Sequence, residues 1–309
     1  MACRPAPPAG PCRYHPPPPH HYPSPPFPSP PPGANVALLV AGSFMAWSSS
    51  YAAATTPIGG DVYGKTLNLL TTAVLASGGV MLGCHRYVTK KVMTDPNCVD
   101  PAAAKKSKTK TKMSLKESAA HLAASPYIRN LAIMVIAYGM SINIVEVTWK
   151  GRLREAFPDA SSYSGFMGKF SSATGAVTIM MMLIGRQILS RSWGAAAMVT
   201  PAVLLATAAA FFSLILAPGM WNPVAVALGT TPLMLAVLVG AAQNIMSKSS
   251  KYSLFDPCKE LAYIPLSPEE KTKGKAAVDV IGNPLGKSGG SMIQQVLLMS
   301  LGRSVIGLD

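Results

Sequence analysis

Charged residues are scarce in this chain. Asp, Glu, Lys and Arg make up 13% of its 309 residues, whereas about a quarter of a soluble protein is charged. Acidic residues are fewer than basic ones: the chain has 13 Asp plus Glu and 27 Lys plus Arg, so its net charge is +14. Because 49% of the residues are apolar, this composition argues against a water-soluble globule. It also excludes collagen, a coiled coil and general disorder.

Disulfide and metal-binding patterns are lacking as well. The five cysteines are odd in number and never form a C-x-x-C motif, so the sequence encodes no disulfide framework and no zinc site. They are Cys3, Cys12, Cys84, Cys98 and Cys258. His20 and His21 lie in a proline tract with no Cys or carboxylate to complete a ligand set, which favours an exposed tail over loose metal binding. We expect no metal site and no cofactor.

Signatures of bond-breaking enzymes are also missing. No G-x-S-x-G elbow, H-E-x-x-H pair or dinucleotide fingerprint occurs. Gly286, Lys287 and Ser288 resemble the end of a phosphate-binding P-loop, but that loop has four residues between its glycines, whereas Gly282 and Gly286 enclose three. The flanking residues favour an apolar helix, and the P-loop requires a preceding strand. We therefore predict that the protein is not an enzyme.

The first 32 residues are rich in proline. More than half of the 28 prolines lie here, so this segment cannot form a helix or a sheet. We predict a disordered tail that is partly polyproline II. It has no apolar run behind an early basic patch, as a secretory signal would have, and it matches an organellar transit peptide only in lacking acidic residues.

Long uncharged windows follow the tail. A hydrocarbon layer about 30 Å thick is crossed by about 20 helical residues, and about seven windows approach that length. They are residues 34–51, 66–84, 130–149 and 170–185, two windows within 192–247, and 276–302. Residues 217–223 contain two prolines and predict a loop that divides the 192–247 stretch into two helices. The sequence therefore predicts an all-α, polytopic membrane helix bundle.

Basic residues concentrate in alternate loops. Residues 84–129 hold much of the positive charge, including the run from Lys105 to Lys116. If this loop lies inside, most Lys and Arg residues share its side with the tail, residues 186–191 and residues 248–275, as the positive-inside rule requires. The C-terminus then lies opposite the tail. A topogenic, lipid-facing linker explains residues 105–116 better than a nucleic-acid site. The 248–275 loop is either a gate or interfacial helix, or a solvated loop.

Two ionisable residues lie inside the predicted spans. Glu146 is near the end of the 130–149 window, and Lys287 lies well within the 276–302 window. A charge inside a bilayer costs about 2.5 to 3.5 kcal/mol on insertion scales unless it faces a cavity or a partner. Both residues are therefore candidates for substrate binding. The structural alternatives are that Glu146 lies in the interface beside Trp149 and that Lys287 snorkels to the membrane surface.

The residues around Lys287 indicate a broken helix. Asn283 and Pro284 interrupt helical hydrogen bonding, while glycines at 286, 289 and 290 permit an unwound or closely approached backbone. Transporters place such breaks near the membrane midplane, where freed amides bind anionic substrates. A lysine there adds a full positive charge for phosphate. A packing kink at a helix interface would explain the glycines but not the lysine.

Several strings resemble the ATP/ADP translocases of plastids and of energy-parasitic intracellular bacteria. These are GANVALL at 33–39, SPYIRN at 125–130, SINIVEVTWK at 141–150, QNIMSK at 243–248, KYSLFDPCKE at 251–260 and the stretch 273–290. The resemblance covers nearly everything after residue 32, and the plastid branch looks closer. It implies a twelve-helix bundle akin to the major facilitator fold, which exchanges ATP for ADP by alternating access across a plastid inner envelope.

The resemblance also implies how the chain divides. Mapped onto the family, it begins near the fifth helix and carries about seven of the twelve, lacking the first four and the last. We therefore expect a Pro-rich tail at 1–32, the end of an N-terminal bundle at 33–84, a basic central loop at 85–129, and five helices of a C-terminal bundle at 130–309.

The family's charged substrate residues in its second half fall at Glu146 and Lys287. We predict substrate binding by five residues: Lys287, Glu146, Asn283, Lys150 and Asp279. The partners implied are ATP, ADP and the lipid bilayer, with no nucleic acid, and the protein is expected to be a monomer. A non-transporting membrane protein, a proton-coupled nucleotide importer and an ATP-hydrolysing enzyme remain as alternatives.

Overall fold

The computed structural model describes residues 33–93 and 114–301, which form helices joined by short turns. The helices are α1 (Gly33–Thr55), α2 (Val62–Tyr87), α3 (Leu115–Ala124), α4 (Pro126–Ala156), α5 (Ala160–Arg191), α6 (Trp193–Leu216), α7 (Pro218–Ala227), α8 (Pro232–Ser250), α9 (Asp256–Ala262), α10 (Pro268–Ala277) and α11 (Asn283–Leu301). Widened π-helical turns at Val88–Val92, Lys251–Phe255 and Val278–Gly282 continue α2, α8 and α10. The described residues contain no strand, which confirms the all-α prediction.

Five stretches are long and apolar enough to cross a membrane: α1, α2 with its extension to Val92, α4, α5 and α6. The pair of α7 and the stretch Pro232–Ala262 passes the same test together, although it is bent by 91°. Within the described residues, α11 does not pass. Its Asn283, Lys287 and Gln294 lower the apolarity that a span requires. The architecture is therefore an incomplete polytopic helical bundle.

Short polar caps set where the helices begin. Asp61, Ser125, Asp159, Ser192 and Thr231 each accept a backbone N–H from the first turn of the helix that follows. These caps satisfy amides that have no partner inside the helix. Prolines at the starts of α4, α7 and α8 fit the same rule, because the first helical residue needs no N–H.

Two predicted loops contain helices. The predicted loop at residues 217–223 is wrong, because Pro218 begins α7 and Pro223 lies within it. The chain instead bends by 91° after Ala227, where Gly229 adopts a φ of +64°. Within residues 85–129, α3 forms behind a capping box in which Ser114 and Glu117 satisfy each other's backbone amides. Residues 1–32 and 94–113, including His20, His21 and most of the 105–116 run, lie outside the described residues.

Helices α1 and α5 pack with their backbones nearly touching. A Cβ atom added to Gly42 would lie 2.4 Å from the Ser172 nitrogen, and one added to Gly168 would lie 2.5 Å from the Ala46 nitrogen. Such close approach is possible only for glycine, and it is a common way to pack helices in membranes. The Ser43 and Ser172 hydroxyls add a hydrogen bond of 2.8 Å across this contact.

The largest core cluster lies among α4, α5, α6 and α8. Trp149 is fully buried, and its indole N–H donates to the Val237 carbonyl at 2.9 Å. Its ring lies 4.7 Å from that of Phe170. Phe211 of α6 belongs to the same cluster. In contrast, α2 exposes most of its apolar side chains, including Val74, Leu75, Val80, Met81 and Leu82, which suits a bilayer rather than water.

Three segments that we predict to share one side of the membrane meet at one end of the bundle. The Tyr127 hydroxyl donates to the Ala262 carbonyl at 2.7 Å, and the Trp193 indole donates to the Cys258 carbonyl at 3.3 Å. The connections before α4, after α5 and after α8 are therefore neighbours. The start of α5 lies at the other end of the bundle, where the Ser49 hydroxyl donates to the Ser161 carbonyl at 3.0 Å.

Candidate substrate site in the helix bundle

Glu146 lies on α4 between two lysines. Its carboxylate is 2.9 Å from the Lys150 ammonium, one turn further along the same helix, and 3.5 Å from the Lys248 ammonium of α8. The Glu146 side chain is only 26% exposed. Packing of Trp149 against α8 holds α4 and α8 together and so positions these charges. The predicted residues Glu146 and Lys150 are thus in contact within the span.

Lys248 is a candidate that the sequence analysis did not identify. Its ammonium lies 5.5 Å from the centre of the Phe170 ring, within the range of a cation–π contact. Its nearest charged partner is Glu146, on another helix. The residue ends a long uncharged stretch and precedes a basic loop, so it was assigned to that loop. The string QNIMSK at residues 243–248 could have identified it, because in a helix Lys248 shares a face with the polar residues Gln243, Asn244 and Ser247.

A polar face of α8 leads to Lys248. Gln243, Asn244 and Ser247 are each at most 1% exposed. The Asn244 amide donates to the Gly240 carbonyl at 2.9 Å, whereas the Gln243 amide, the Asn244 side-chain oxygen and the Ser247 hydroxyl have no partner among the described residues. Buried polar groups without partners are costly. These groups are therefore available to water or to a polar ligand.

Helix α11 packs closely on α4. A Cβ atom on Gly139 would lie 2.9 Å from the Gly286 Cα, and one on Gly290 would lie 2.9 Å from the Asn143 side chain. The predicted break in the helix at Lys287 is wrong, because α11 runs without interruption from Asn283 to Leu301. The other possibility predicted for its glycines, a closely approached backbone, is what the contacts of Gly286 and Gly290 show. The irregularity lies just before this helix, in the π-helical turn Val278–Gly282. Pro284 falls in the first turn of α11, where a missing backbone N–H costs little.

Lys287 stands apart from Glu146. Its side chain is exposed and makes no ion pair with any residue in the described part of the chain. The Ser291 hydroxyl, one turn along, approaches the Asn143 side-chain oxygen at 3.4 Å. Asn143 precedes Glu146 by about one turn of α4, so α11 passes close to the turn of α4 that carries Glu146. The Asn283 amide donates to the Asp279 carboxylate at 3.2 Å, so these two predicted residues form a separate pair.

These groups give the site a positive charge. Lys150 and Lys248 share one carboxylate where α4 meets α8, and Lys287 is an additional cation on α11, which packs on the same helix α4. Lysine is a point charge that suits phosphate. The Gly286-Lys287-Ser288 sequence lies inside a helix and follows another helical turn, so the strand context of a P-loop is absent from this described region. No group of three or more His, Cys, Asp or Glu side chains in residues 33–93 and 114–301 could hold a metal ion.

The fold and this charged helix contact define a multi-pass integral membrane protein. Residues 31–307 match the family described as TLC ATP/ADP transporter. The chain belongs to that family, which consists of membrane carriers rather than enzymes.

Similar proteins come from bacteria and plants. The chain is 50% identical over 272 residues to ADP,ATP carrier protein 1 of Chlamydia muridarum, covering 87% of this chain and 51% of that protein. It is 49% identical over 271 residues to the chloroplastic ADP,ATP carrier protein 1 of Arabidopsis thaliana, with 87% and 42% covered. Against ADP,ATP carrier protein 1 of Rickettsia prowazekii it is 43% identical over 233 residues, with 74% and 47% covered. The chain thus spans about half the length of the curated relatives it matches. No solved structure matches it.

Proposed function

We propose that this protein is an ATP:ADP antiporter that works by alternating access. The observation that carries the proposal is the contact of Glu146 with Lys150 and Lys248 inside the bundle. The names of the relatives, ADP,ATP carriers, give the substrates that such a cationic site would bind. ATP and ADP concentration differences drive the exchange, so no hydrolysis is required.

The role of Glu146 follows from the energetics of buried charge. Unpaired lysines in a partly buried site are costly, so an empty site requires a counter-charge. Glu146 supplies it to Lys150 and Lys248 when no nucleotide is bound. An entering polyphosphate competes with the carboxylate for these ammonium groups. One carboxylate offsets only part of the charge of these lysines, and we infer that the remaining positive charge disfavours return of the empty site without cargo.

Lys287 completes the cationic site from α11. Gly139 and Gly286 bring α4 and α11 into backbone contact, and small residues let helices shift against each other without large side chains colliding. We assign Lys287 to the phosphates, with Asn283 at the start of the same helix and Asp279 in the π-helical turn that precedes it. Movement of one half of the transporter against the other would then expose the site alternately to each side.

We propose the plastid inner envelope as the location and a monomer as the working unit. The chloroplastic relatives of Arabidopsis thaliana and Solanum tuberosum support a plastid location. Carriers of Chlamydia and Rickettsia are also similar, so the family extends beyond plastids.

The direct test is uptake of radiolabelled ATP by liposomes that contain the purified chain. We expect uptake to require ADP inside the liposomes and to cease when internal ADP is omitted. Glu146→Gln and Lys287→Ala are each expected to lower the initial rate by roughly tenfold or more, because each removes a charged contact worth about 1.5 to 3 kcal/mol. Glu155→Gln and Lys116→Ala, which change exposed charges outside the site, serve as matched controls.

Each alternative function has its own outcome in this assay. ATP uptake that needs no internal ADP and follows an imposed pH gradient would replace the antiporter with a proton-coupled importer. No uptake by a correctly folded wild-type chain would indicate a non-transporting membrane protein. Release of phosphate from ATP would indicate hydrolysis. Any of these results would contradict the exchange mechanism.

A further inference from the structure

A shallow cavity of about 320 Å³, more open than enclosed, lies at the end of the bundle away from the basic loops. It is formed where the last turns of α1 meet the α4–α5 connection and the first turns of α5. Its lining combines serines, a pair of phenylalanines and one lysine. The lining residues are Ser49, Ser50, Ala53, Phe157, Ser161, Ser162, Gly165, Phe166 and Lys169. This volume is at the lower end of the range of small-molecule sites.

Three of the four serine hydroxyls at one end of the cavity donate hydrogen bonds within the protein. Ser49 donates to the Ser161 carbonyl, Ser50 to the Ala46 carbonyl, and Ser162 to the Asp159 carboxylate, each at 3.0 Å. A hydroxyl whose proton is used retains only acceptor capacity. This end of the cavity therefore favours a ligand that carries hydrogen-bond donors, such as an amino group.

Asp159 is not a lining residue, but it adds to this acceptor character through Ser162, which lines the cavity. The backbone N–H of Ser162 donates to its carboxylate at 2.8 Å, and the Ser162 hydroxyl donates to the same oxygen. These hydrogen bonds, the backbone one first, hold the pKa of Asp159 below its usual range. The carboxylate is therefore ionised at neutral pH, and an anionic group of a ligand is disfavoured at this end.

The middle and the far end of the cavity have different chemistry. The rings of Phe157 and Phe166 lie 5.1 Å apart and are tilted by 33°, which provides an aromatic surface for a planar ring. Lys169 lies seven residues after Ser162 on α5, about 10 Å along the helix at 1.5 Å per residue. Its side chain is exposed and makes no ion pair with any described residue. Its charge is therefore free to bind an anion.

We propose that this cavity is a second nucleotide site, which receives an adenine nucleotide before it reaches Glu146 and Lys248. The 6-amino group would donate to the serine oxygens, the purine would contact Phe157 and Phe166, and the phosphates would lie against Lys169. Ser162, Phe166 and Lys169 follow one another on α5, so an acceptor, a phenyl ring and a cation occur there in the same order as the amino group, planar ring and phosphates of an adenine nucleotide. This assignment rests on the proposed exchange of ATP and ADP.

Photolabelling with 8-azido-ATP tests the site in the whole chain, reconstituted in lipid nanodiscs. Trypsin cuts after Arg154 and Lys169, so a label in the cavity is expected on the peptide of residues 155–169. We expect excess adenosine and excess inorganic triphosphate each to reduce this label. Lys169→Ala is expected to weaken labelling by roughly three- to tenfold, as expected for the loss of one partly exposed charged hydrogen bond. Because this variant also removes the trypsin site at residue 169, the labelled peptide then extends to Arg186.

Matched variants separate a specific contact from general charge. Lys169→Arg keeps the cation and is expected to retain most of the label. Arg154→Ala removes an exposed cation beside the cavity but not in its lining, and it is expected to leave labelling unchanged. Equal losses in Lys169→Ala and Arg154→Ala would overturn the assignment. So would a loss of the label when anionic lipid is added, since a lipid headgroup would then be the occupant.

The test distinguishes failure of this site from failure of the proposed function. Exchange that persists while residues 155–169 remain unlabelled would overturn the cavity assignment alone. A label on residues 155–169 in a chain that does not exchange nucleotides would support the cavity and contradict the antiporter. Phe166→Leu offers a second check, because it removes the ring with little change of volume and is expected to weaken competition by adenosine but not by triphosphate.

Discussion

Replacing Trp149 with alanine is expected to lower the free energy of unfolding by about 3 to 5 kcal/mol, the usual cost of removing a large buried aromatic side chain. The ring is fully buried against Phe170 and Phe211, so its loss leaves a cavity among α4, α5, α6 and α8. The Val237 carbonyl also loses its donor. The change is measurable as a lower unfolding midpoint of the reconstituted protein.

Two further variants identify the cause of this loss. Trp47→Ala removes a tryptophan that is 52% exposed, and a drop much smaller than that of Trp149→Ala is expected. Trp149→Phe keeps most of the ring but removes the indole N–H, so it is expected to cost about 1 kcal/mol for the hydrogen bond plus a smaller packing loss. Equal midpoints for Trp149→Ala and Trp47→Ala would show that this core does not hold the helices together.

Gly168→Ala is expected to separate α1 from α5. The added methyl group would meet the Ala46 nitrogen at 2.5 Å and the Gly42 carbonyl oxygen at 3.0 Å, and backbone atoms cannot rotate away. Forcing extra volume into a packed interface costs about 1 to 3 kcal/mol. Disulfide formation between Ser43→Cys and Ser172→Cys, whose hydroxyls are 2.8 Å apart, reports the contact directly. We expect the yield to fall several-fold in a background without the native cysteines.

Gly78→Ala is the matched control for this experiment. Gly78 lies within the apolar helix α2, and no atom lies within 4 Å of the position its Cβ would take. The helix-propensity gain is similar for both substitutions, since alanine favours a helix by about 1 kcal/mol over glycine. An unchanged cross-link in Gly168→Ala would contradict the close backbone packing of α1 and α5.

Hydrophobic windows predicted most of the helices because a bilayer requires long uncharged segments. Windows 66–84, 130–149 and 170–185 all lie within helices of the structure. The prediction of a turn at 217–223 was wrong because a proline in the first turn of a helix costs few hydrogen bonds. A proline-containing sequence can therefore begin a helix as well as end one. The bend instead uses Gly229, whose positive φ no pattern in the sequence specified.

The candidate site was predictable only where a charge interrupts an apolar stretch. Glu146 stood out for that reason, and Lys150 lies one helical turn away. Lys248 did not stand out, because it adjoins a basic loop and its position opposite Glu146 depends on how α4 and α8 pack. The continuous helix at Lys287 was missed because the π-helical turn at Val278–Gly282 accommodates the irregularity before Pro284. Tertiary packing decides such points, and sequence periodicity does not.

Equilibrium binding of radiolabelled ATP to the reconstituted Lys248→Ala variant tests most directly whether cations inside the bundle bind the nucleotide. Lys248 contacts Glu146 and the Phe170 ring, so its removal takes away a partly buried charge without altering the aromatic core. We predict that affinity falls roughly tenfold or more, as expected for a charged hydrogen bond to phosphate, while Lys116→Ala binds like the wild type. Wild-type affinity in a folded Lys248→Ala variant would contradict the assignment of this site.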